Sequence, residues 1–584
     1  MCSWDRWFSR GLTFLGAGML LLSACAEPPR ARPGAASQPA PQARGPLKVI
    51  TVAVGAPILS LSPRAAITSG NSVVTYFEMH SNGLTTSDAR GRAIPQIARD
   101  LPSLDNGTIR LLDDGRMTTQ WSLRPDVTWH DGTPFTARDL LFGYRVNSDP
   151  ELSLADRFAI SRMSSVEEID PHTVLIHWTG SYYLGGTLGP MAFYPLPAHL
   201  LEADFNLGDK DAFQSLPFWL SGYVHTGPFR LARMEHGSGA TFEAYDRYFL
   251  GRPKVDQIVV KEILDANAGY AGILAGEVDV TIEFLDGGKI ASLQDQGFET
   301  SGGRVFTAVG PVYYLGFQAA PELASPKELL DERVRRALYL GLDRAALADL
   351  AYGGRPTLHA EAKSIIAPTE PLWAYVGDVF AESANDPPRA LQAFAQLGWT
   401  RGADGLLTNG AGSHLEIEVR TNTLRVPIAT ALADMWKRIG IDSKIFTVPQ
   451  ALQQDREFAQ AFPGTDLSTG GQGDRILPRY DGNASSTARN GFSGNNRNHY
   501  SNPRATELVN RFNLSIGEAE QGRILKEIAD IAVEDLPLLP IYYYPVYATV
   551  GRAARALDDL DGGHTGGGGY FGGYVRTAYL WERT

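Results

Sequence analysis

The chain is poor in cysteine, with two in 584 residues, Cys2 and Cys25. That count excludes a disulfide framework and a multi-cysteine zinc module. It has no excess of basic residues: 53 Lys and Arg stand against 65 Asp and Glu, a formal net charge of −12. A nucleic-acid partner, which demands a basic footprint, is not expected. After Leu22 no run of eighteen unbroken apolar residues occurs, so no later membrane-crossing helix is expected. Catalytic signatures are missing as well. There is no G-x-S-x-G elbow, no P-loop, no H-E-x-x-H and no dinucleotide fingerprint. The 11 histidines are scattered. His172 and His177 fall five apart on a predicted strand, and so on opposite faces. His130 reads as a turn hydrogen-bonder. Neither an enzyme, a cofactor nor a metal is expected. What is abundant is apolar side chain, 43% of the chain. At roughly 100–200 residues per domain, the length predicts several domains or one multi-lobed body.

The N-terminus is organised differently from the rest. Arg6 and Arg10 precede Gly11–Leu22, twelve uncharged and mostly apolar residues, too few to span a bilayer. Leu22-Ser23-Ala24-Cys25 follows, and the whole resembles a bacterial lipoprotein signal. The resemblance implies cleavage before Cys25 and lipidation of that residue. Loss of residues 1–24 leaves a net charge of −13 and removes Cys2. Residues 26–46, rich in Pro, Ala and Arg, predict a semi-extended tether.

In the body, Lys48–Val54, Leu175–Trp178 and Leu415–Val419 are β-rich and predict strands. Asp331–Leu342 carries Val334, Leu338 and Leu342 at spacings of four, and Ile428–Ile439 has a similar stripe ending at Gly440. Both predict amphipathic helices. Strands mixed with helices throughout give an α/β class. Gly464–Pro503, polar and without period, is expected to be irregular, and so is the glycine-rich Gly562–Gly573.

The strongest local pattern is Trp121-Ser-Leu-Arg-Pro-Asp-Val-Thr-Trp129-His-Asp-Gly132-Thr-Pro-Phe-Thr136-Ala-Arg-Asp139-Leu140. It predicts a strand, a turn at Asp131-Gly132 and a helix capped by Thr136 with Asp139 in capping-box position. Trp121 and Trp129 are expected in the core. The pattern resembles the signature of the extracytoplasmic solute-binding proteins of family 5, the peptide-binding components of ABC importers with nickel- and oligosaccharide-binding relatives. Asn82-Gly83-Leu84 with Pro95-Gln96-Ile97-Ala98, Thr226-Gly227-Pro228-Phe229, and Tyr248-Phe249 with Gly251–Asp256 are similar to further family segments, in order. So are Ala275–Asp279, Asp331–Ala337 with Leu342-Asp343-Arg344, and Tyr500–Pro503. The sequence departs from the pattern at Leu61-Ser62-Pro63, Tyr245-Asp246 and Phe317-Gln318. It departs most at Gly471–Arg475, where peptide binders carry W-x-x-D-Y.

The resemblance implies a two-lobed periplasmic-binding-protein fold of class II type with an extra inserted subdomain. Lobe I is expected at 47–90, 222–310 and 545–584, the subdomain at 91–221 and lobe II at 311–544. The chain should cross between lobes near 309–314 and 542–546. It also implies capture of di- or oligopeptides outside the cytoplasmic membrane and delivery to a permease with its ATPase, the protein being a lipid-anchored monomer of the cell envelope. Another small solute such as an oligosaccharide, or a secreted hydrolase or surface sensor on the same fold, are the alternatives.

A peptide cleft must pair the ligand's charged ends, because an unpaired buried charge is costly. Asp474 is the candidate ammonium anchor, carried over from the weak family match. Arg475 or Arg420 are candidates for the carboxylate. Of Tyr313 and Tyr314, adjacent at the expected crossing, one should face the cleft. Asn422 follows a predicted strand, where strand ends meet ligand in open α/β sheets. The arginines of 333–336 are expected on the surface or in ion pairs.

Overall fold

The computed structural model describes residues 46–62, 73–88, 91–152, 159–282, 284–357, 360–381, 385–452, 455–471, 473–555, 557 and 575–584. Cys25, the tether up to residue 45 and the glycine-rich 562–573 lie outside these. Leu47–Thr584 is one compact unit.

Its backbone is a ten-stranded sheet among the described residues. In spatial order the strands are Asp442–Thr447, Glu416–Thr421, Thr465–Thr469, Arg304–Phe317, Leu538–Val550, Val280–Ile282, Val49–Val54, Gln257–Glu262, Gly239–Ala244 and Phe229–Glu235. Two long strands hold it together. Arg304–Phe317 and Leu538–Val550 pair antiparallel over their whole lengths, from Arg304 opposite Val550 to Gly316 opposite Leu538. The register slips between Val309 and Val312. The two lobes divide at the same place. One buried core takes Val309, Val312–Tyr543 and the helices between. Another takes Phe306, Ala308, Val546 and Ala548 with Ile50, Val52 and Trp581.

The helices form where the apolar stripes predict. Glu332–Leu340 starts at Asp331, whose carboxylate accepts from the Arg333 N–H at 2.9 Å, and buries Val334 and Leu338. Val426–Arg438 buries Ile428, Leu432 and Trp436 and is followed by Gly440 at φ +86°. The Trp436 indole donates to the Leu338 carbonyl at 3.0 Å, locking the two helices together. Arg333 pairs with Asp331. Arg335 and Arg336 donate to carbonyls of Val533–Leu536, the end of the helix Glu518–Asp535. They thus serve carbonyls left without intrahelical partners, at the negative pole of that helix.

A separate four-stranded sheet, in the order Ile109–Leu111, Met117–Ser122, Thr173–Trp178 and Met163–Asp170, carries the signature. Trp121, Trp129 and Trp178 are wholly buried, and the Trp121 and Trp178 indoles both donate to Thr119 Oγ1. The helix Ala137–Ser148 begins as predicted. The Asp139 carboxylate accepts from the Thr136 N–H at 2.9 Å, the Ala198 N–H at 3.0 Å and the Trp129 indole at 3.2 Å. His130 is neutral, its pKa pushed down to about 4 by burial. Its Nε2–H donates to the Gly227 carbonyl and its Nδ1 accepts from the His225 N–H. Gly227 must be glycine, since a Cβ there would come within 2.5 Å of the His80 backbone.

One expectation fails. Residues 464–503 are mostly 3-10 turns and loops, but Thr465–Thr469 is an interior strand of the large sheet. Its sequence, TDLST, hides it: a strand covered on both faces need not alternate apolar and polar residues, and here polar side chains fill the slots.

Candidate functional site

Three parallel strands of the Val309–Tyr543 lobe, Glu416–Thr421, Asp442–Thr447 and Thr465–Thr469, end at the same edge. Thr469 pairs with Tyr313 on the crossing strand, and Tyr313 with Tyr542. Residues just beyond 421 and 469 therefore meet the crossing. Open α/β sheets bind ligands at this kind of position, beyond the carboxyl ends of strands. It gathers Asn422, Arg425, Asp474 and Arg475.

The crossing strand separates two groups. On one face, Tyr313 stacks on Tyr542 with ring centroids 4.8 Å apart and planes at 8°, and lies 5.4 Å from Tyr544. Arg425 donates to the Tyr313 hydroxyl at 2.8 Å and covers its ring at 4.6 Å. Asn422 begins the turn that carries Arg425, and its Oδ1 is buried without a hydrogen-bond partner. A buried acceptor left unmatched is a group a ligand would satisfy.

On the other face lie Val312 and Tyr314, together with Tyr543, which pairs with Val312. The Tyr543 hydroxyl donates to the Ile366 carbonyl at 2.9 Å, which places the 364–370 segment there. Glu370, on that segment, approaches Gly473. A Cβ on Gly473 would sit 3.0 Å from the Glu370 carboxylate, and Gly473 also has φ +59°, so only glycine suits this contact. Asp474 follows, at the start of the 3-10 helix Gly473–Tyr480. The Tyr183 hydroxyl donates to its carboxylate. Burial pushes the Asp474 carboxyl above its ordinary range; Tyr183 and Arg475 oppose that, and Glu370 adds to it. Tyr183 arrives from the segment after the small sheet and meets Phe512 ring to ring at 5.2 Å.

The predicted residues are thus brought to one region, with different surroundings. Asp474 and Arg475 share the acidic pocket. Tyr313 and Tyr314 face opposite ways, and Tyr314 lies under Arg479 of the 3-10 helix that also carries Asp474. Arg420 departs from its expected role. It is buried, pairs with Asp466 at 3.1 Å, donates to the Phe458 carbonyl at 3.0 Å and lies 4.6 Å over the Phe462 ring. It holds the sheet together rather than waiting for a carboxylate. Sequence reasoning missed Tyr183, Glu370 and Arg425. The first two lie far from Asp474 in the chain and in no motif. Arg425 was within reach, because it follows Asn422 at the same strand end.

Among the described residues no group of three His, Cys, Asp or Glu side chains is placed to hold a metal, and no helix is long and apolar enough to cross a membrane.

Residues 95–488 match the family model described as bacterial extracellular solute-binding proteins, family 5. The chain is 26% identical over 451 residues to the oligopeptide-binding protein AppA of Bacillus subtilis, covering 74% of this chain and 76% of that one. An oligopeptide-binding protein of Thermus thermophilus complexed with a pentapeptide superposes with a TM-score of 0.70 at 21% identity, covering 92% and 96% of the two chains. NikZ of Campylobacter jejuni, in complex with Ni(L-His), superposes with a TM-score of 0.70 at 20% identity, covering 92% and 100%.

Proposed function

The chain belongs to the bacterial extracellular solute-binding proteins of family 5, and from that premise we propose that it is the peptide-capturing subunit of an ABC importer. It binds a di- or oligopeptide between its lobes and delivers it to a permease, whose ATPase supplies the energy. It performs no chemistry on its ligand. Lobe I is 47–90, 222–310 and 545–584, the inserted subdomain 91–221 and lobe II 311–544. The register slip at Val309–Val312 and the division of the cores there support a hinge at that place. Ligand contact to both lobes would favour the closed state. Cys25 carries the lipid that holds the monomer to the envelope.

One observation carries the peptide reading. Asp474 is a half-buried carboxylate, hydrogen-bonded by Tyr183 and crowded by Glu370, at the ends of parallel strands. Burial and a second carboxylate disfavour its charged form more than Tyr183 and Arg475 favour it, which leaves room for further positive charge. A peptide ammonium supplies it with directed N–H donors. A neutral sugar would leave the deficit in place.

The test is a thermal-shift screen of protein stripped of carried-over ligand by unfolding and refolding. Peptides with a free amino terminus should raise the melting temperature. Their N-acetylated forms should do so far less, and Asp474→Asn should reduce the shift. A response confined to oligosaccharides or divalent metals overturns the peptide assignment and leaves the fold untouched.

A further inference from the structure

Three histidines, His80, His130 and His225, are gathered where two of the buried cores meet. The core of the four-stranded sheet holds Trp129, and the core of the Val49–Val54 strand holds Tyr76, Phe77, Tyr194, Tyr223 and Phe242. Backbone hydrogen bonds set the three side by side. The His130 N–H donates to the His225 carbonyl at 2.8 Å, and the Gly227 N–H to the His80 carbonyl at 3.2 Å. The His225 ring stacks on Tyr194 at 5.1 Å and on Tyr223 at 5.8 Å, and meets Trp129 edge-on at 5.3 Å. It therefore touches both cores. The His80 ring stacks on Phe242 at 5.3 Å and meets Tyr223 edge-on at 5.2 Å.

None of the three can take up a proton in place. His80 and His225 are wholly buried, and Nε2 of each makes no hydrogen bond. A charged ring carries a proton on both nitrogens, so Nε2 would become a buried cationic donor without an acceptor. In His130 the Nδ1 lone pair accepts from the His225 N–H at 3.2 Å, and a proton there breaks that bond between the two histidines. Burial lowers the pKa of all three, His130 to about 4, and the nearness of His130 lowers the other two further. Little opposes this. Asp131, itself held by His199 at 2.6 Å, and the Gly227 carbonyl favour a charge on His130, while Arg230 disfavours it. The Pro195 carbonyl favours a charge on His225. The side chains packed on the rings, among them Tyr76, Tyr194, Tyr223 and Tyr245, bring no carboxylate. Glu78, two residues before His80 on the same helix, is raised to about 7 by burial, against Thr86 and Arg576, so it is already protonated where a histidine would charge.

We propose that His80, His130 and His225 form a proton-sensitive joint: in acid the body built on the four-stranded sheet detaches from the core of the Val49–Val54 strand, while the Val309–Tyr543 lobe stays folded. The sign follows from the protons. Below pH 6.5 each histidine is protonated in the open joint and not in the closed one, so opening takes up three. Glu78 acts the other way, keeping a proton in the closed joint that it loses on exposure until the pH reaches 4.5. Three less one leaves two, so the opening equilibrium rises by up to about a hundredfold per pH unit across that interval. Tyr183 reaches Asp474 from the chain just after the four-stranded sheet. Opening therefore withdraws that donor and, on the peptide reading above, weakens the hold on ligand.

The test is hydrogen exchange of the ligand-free protein, read by mass spectrometry between pH 6.5 and 4.5 and expressed as protection factors, so that the intrinsic pH dependence of exchange cancels. Amides of Ala137–Ser148 and Thr173–Trp178 should lose protection by up to about a hundredfold per pH unit, and those of Glu416–Thr421 should keep theirs. In His80→Phe/His225→Phe the remaining histidine balances Glu78, so the loss should become flat with pH. In Glu78→Gln, which leaves the rings untouched, the three histidines act unopposed and the loss should steepen to about a thousandfold per pH unit. If the double variant does not fold, Glu78→Gln decides, together with the histidine ring-carbon resonances of the parent, which should titrate only as protection is lost. Protection that does not change with pH, a loss shared equally by Glu416–Thr421, a slope that Glu78→Gln leaves unaltered, or protonation of these histidines with protection intact overturns the joint. No ligand enters the measurement, so its failure leaves the peptide reading untouched.

Discussion

The signature segment Trp121–Leu140 and the segment Gly470–Tyr500 use their polar groups in opposite ways. In the first, Asp139, His130 and Trp129 are spent inside the protein. Asp139 accepts three hydrogen bonds, both ring nitrogens of His130 are engaged, and Trp129 is buried with its indole bonded. In the second, charge is left over. Asp474 is pushed up by burial and a neighbouring carboxylate, and Arg479 lies 5.8 Å over the Tyr314 ring. The motif that identifies the family thus builds the scaffold. The stretch that departs most from the family pattern holds Asp474, a carboxyl whose charged form burial disfavours.

The sharpest way to break this contrast is Trp129→Ala. Truncating a fully buried tryptophan costs about 3–5 kcal/mol, read as a lower urea midpoint, while molecules that remain folded should bind a tripeptide with parent affinity. A loss of affinity without a loss of stability would place function in the signature. Next is Asp474→Asn. It should weaken tripeptide binding by about tenfold to a hundredfold, the worth of a charge-assisted hydrogen bond. The ligand-free melting temperature should stay level or rise, because burial already disfavours that charge.

The pH dependence follows from the same group. The carboxyl of Asp474 is raised in the folded state, so protonation begins at higher pH than for an ordinary aspartate. Peptide affinity should fall by up to about tenfold per pH unit once pH drops below the raised value. In the ligand-free protein the sign is reversed. The folded state holds this proton more tightly than the unfolded chain, so the group adds stability as pH falls through the raised pKa. Melting temperatures of free and bound protein should converge in acid, and Asp474→Asn should flatten the convergence. The smallest effect is expected from Tyr183→Phe. Loss of one hydrogen bond worth about 1 kcal/mol weakens binding roughly fivefold, measured by calorimetry.

How much of this was legible depended on distance along the chain. The strand at Val49–Val54, the helices around Val334 and Ile428, and the capping of Ala137–Ser148 are local consequences of spacing and composition, and they appear where the sequence places them. Asp474 was reachable through a faint family match. Tyr183 and Glu370 were not, since only the folded sheet brings them to it. Arg420 looked available because its partner Asp466 sits in a strand that polar residues disguise. An arginine's availability cannot be judged before its carboxylate is located.

The pairing of Arg304–Phe317 with Leu538–Val550 has a kinetic consequence. Both lobes contribute to this one ribbon, and its second strand follows the first only after the whole of 318–537. Val280–Ile282 and the strand around Tyr313 each await the same neighbour. Contacts of such long sequence separation make folding slow, because the loop between them must be ordered before pairing rewards it. Native closure of the sheet therefore waits for Leu538–Val550, and a truncation that removes that strand would leave two open sheet edges rather than one intact lobe.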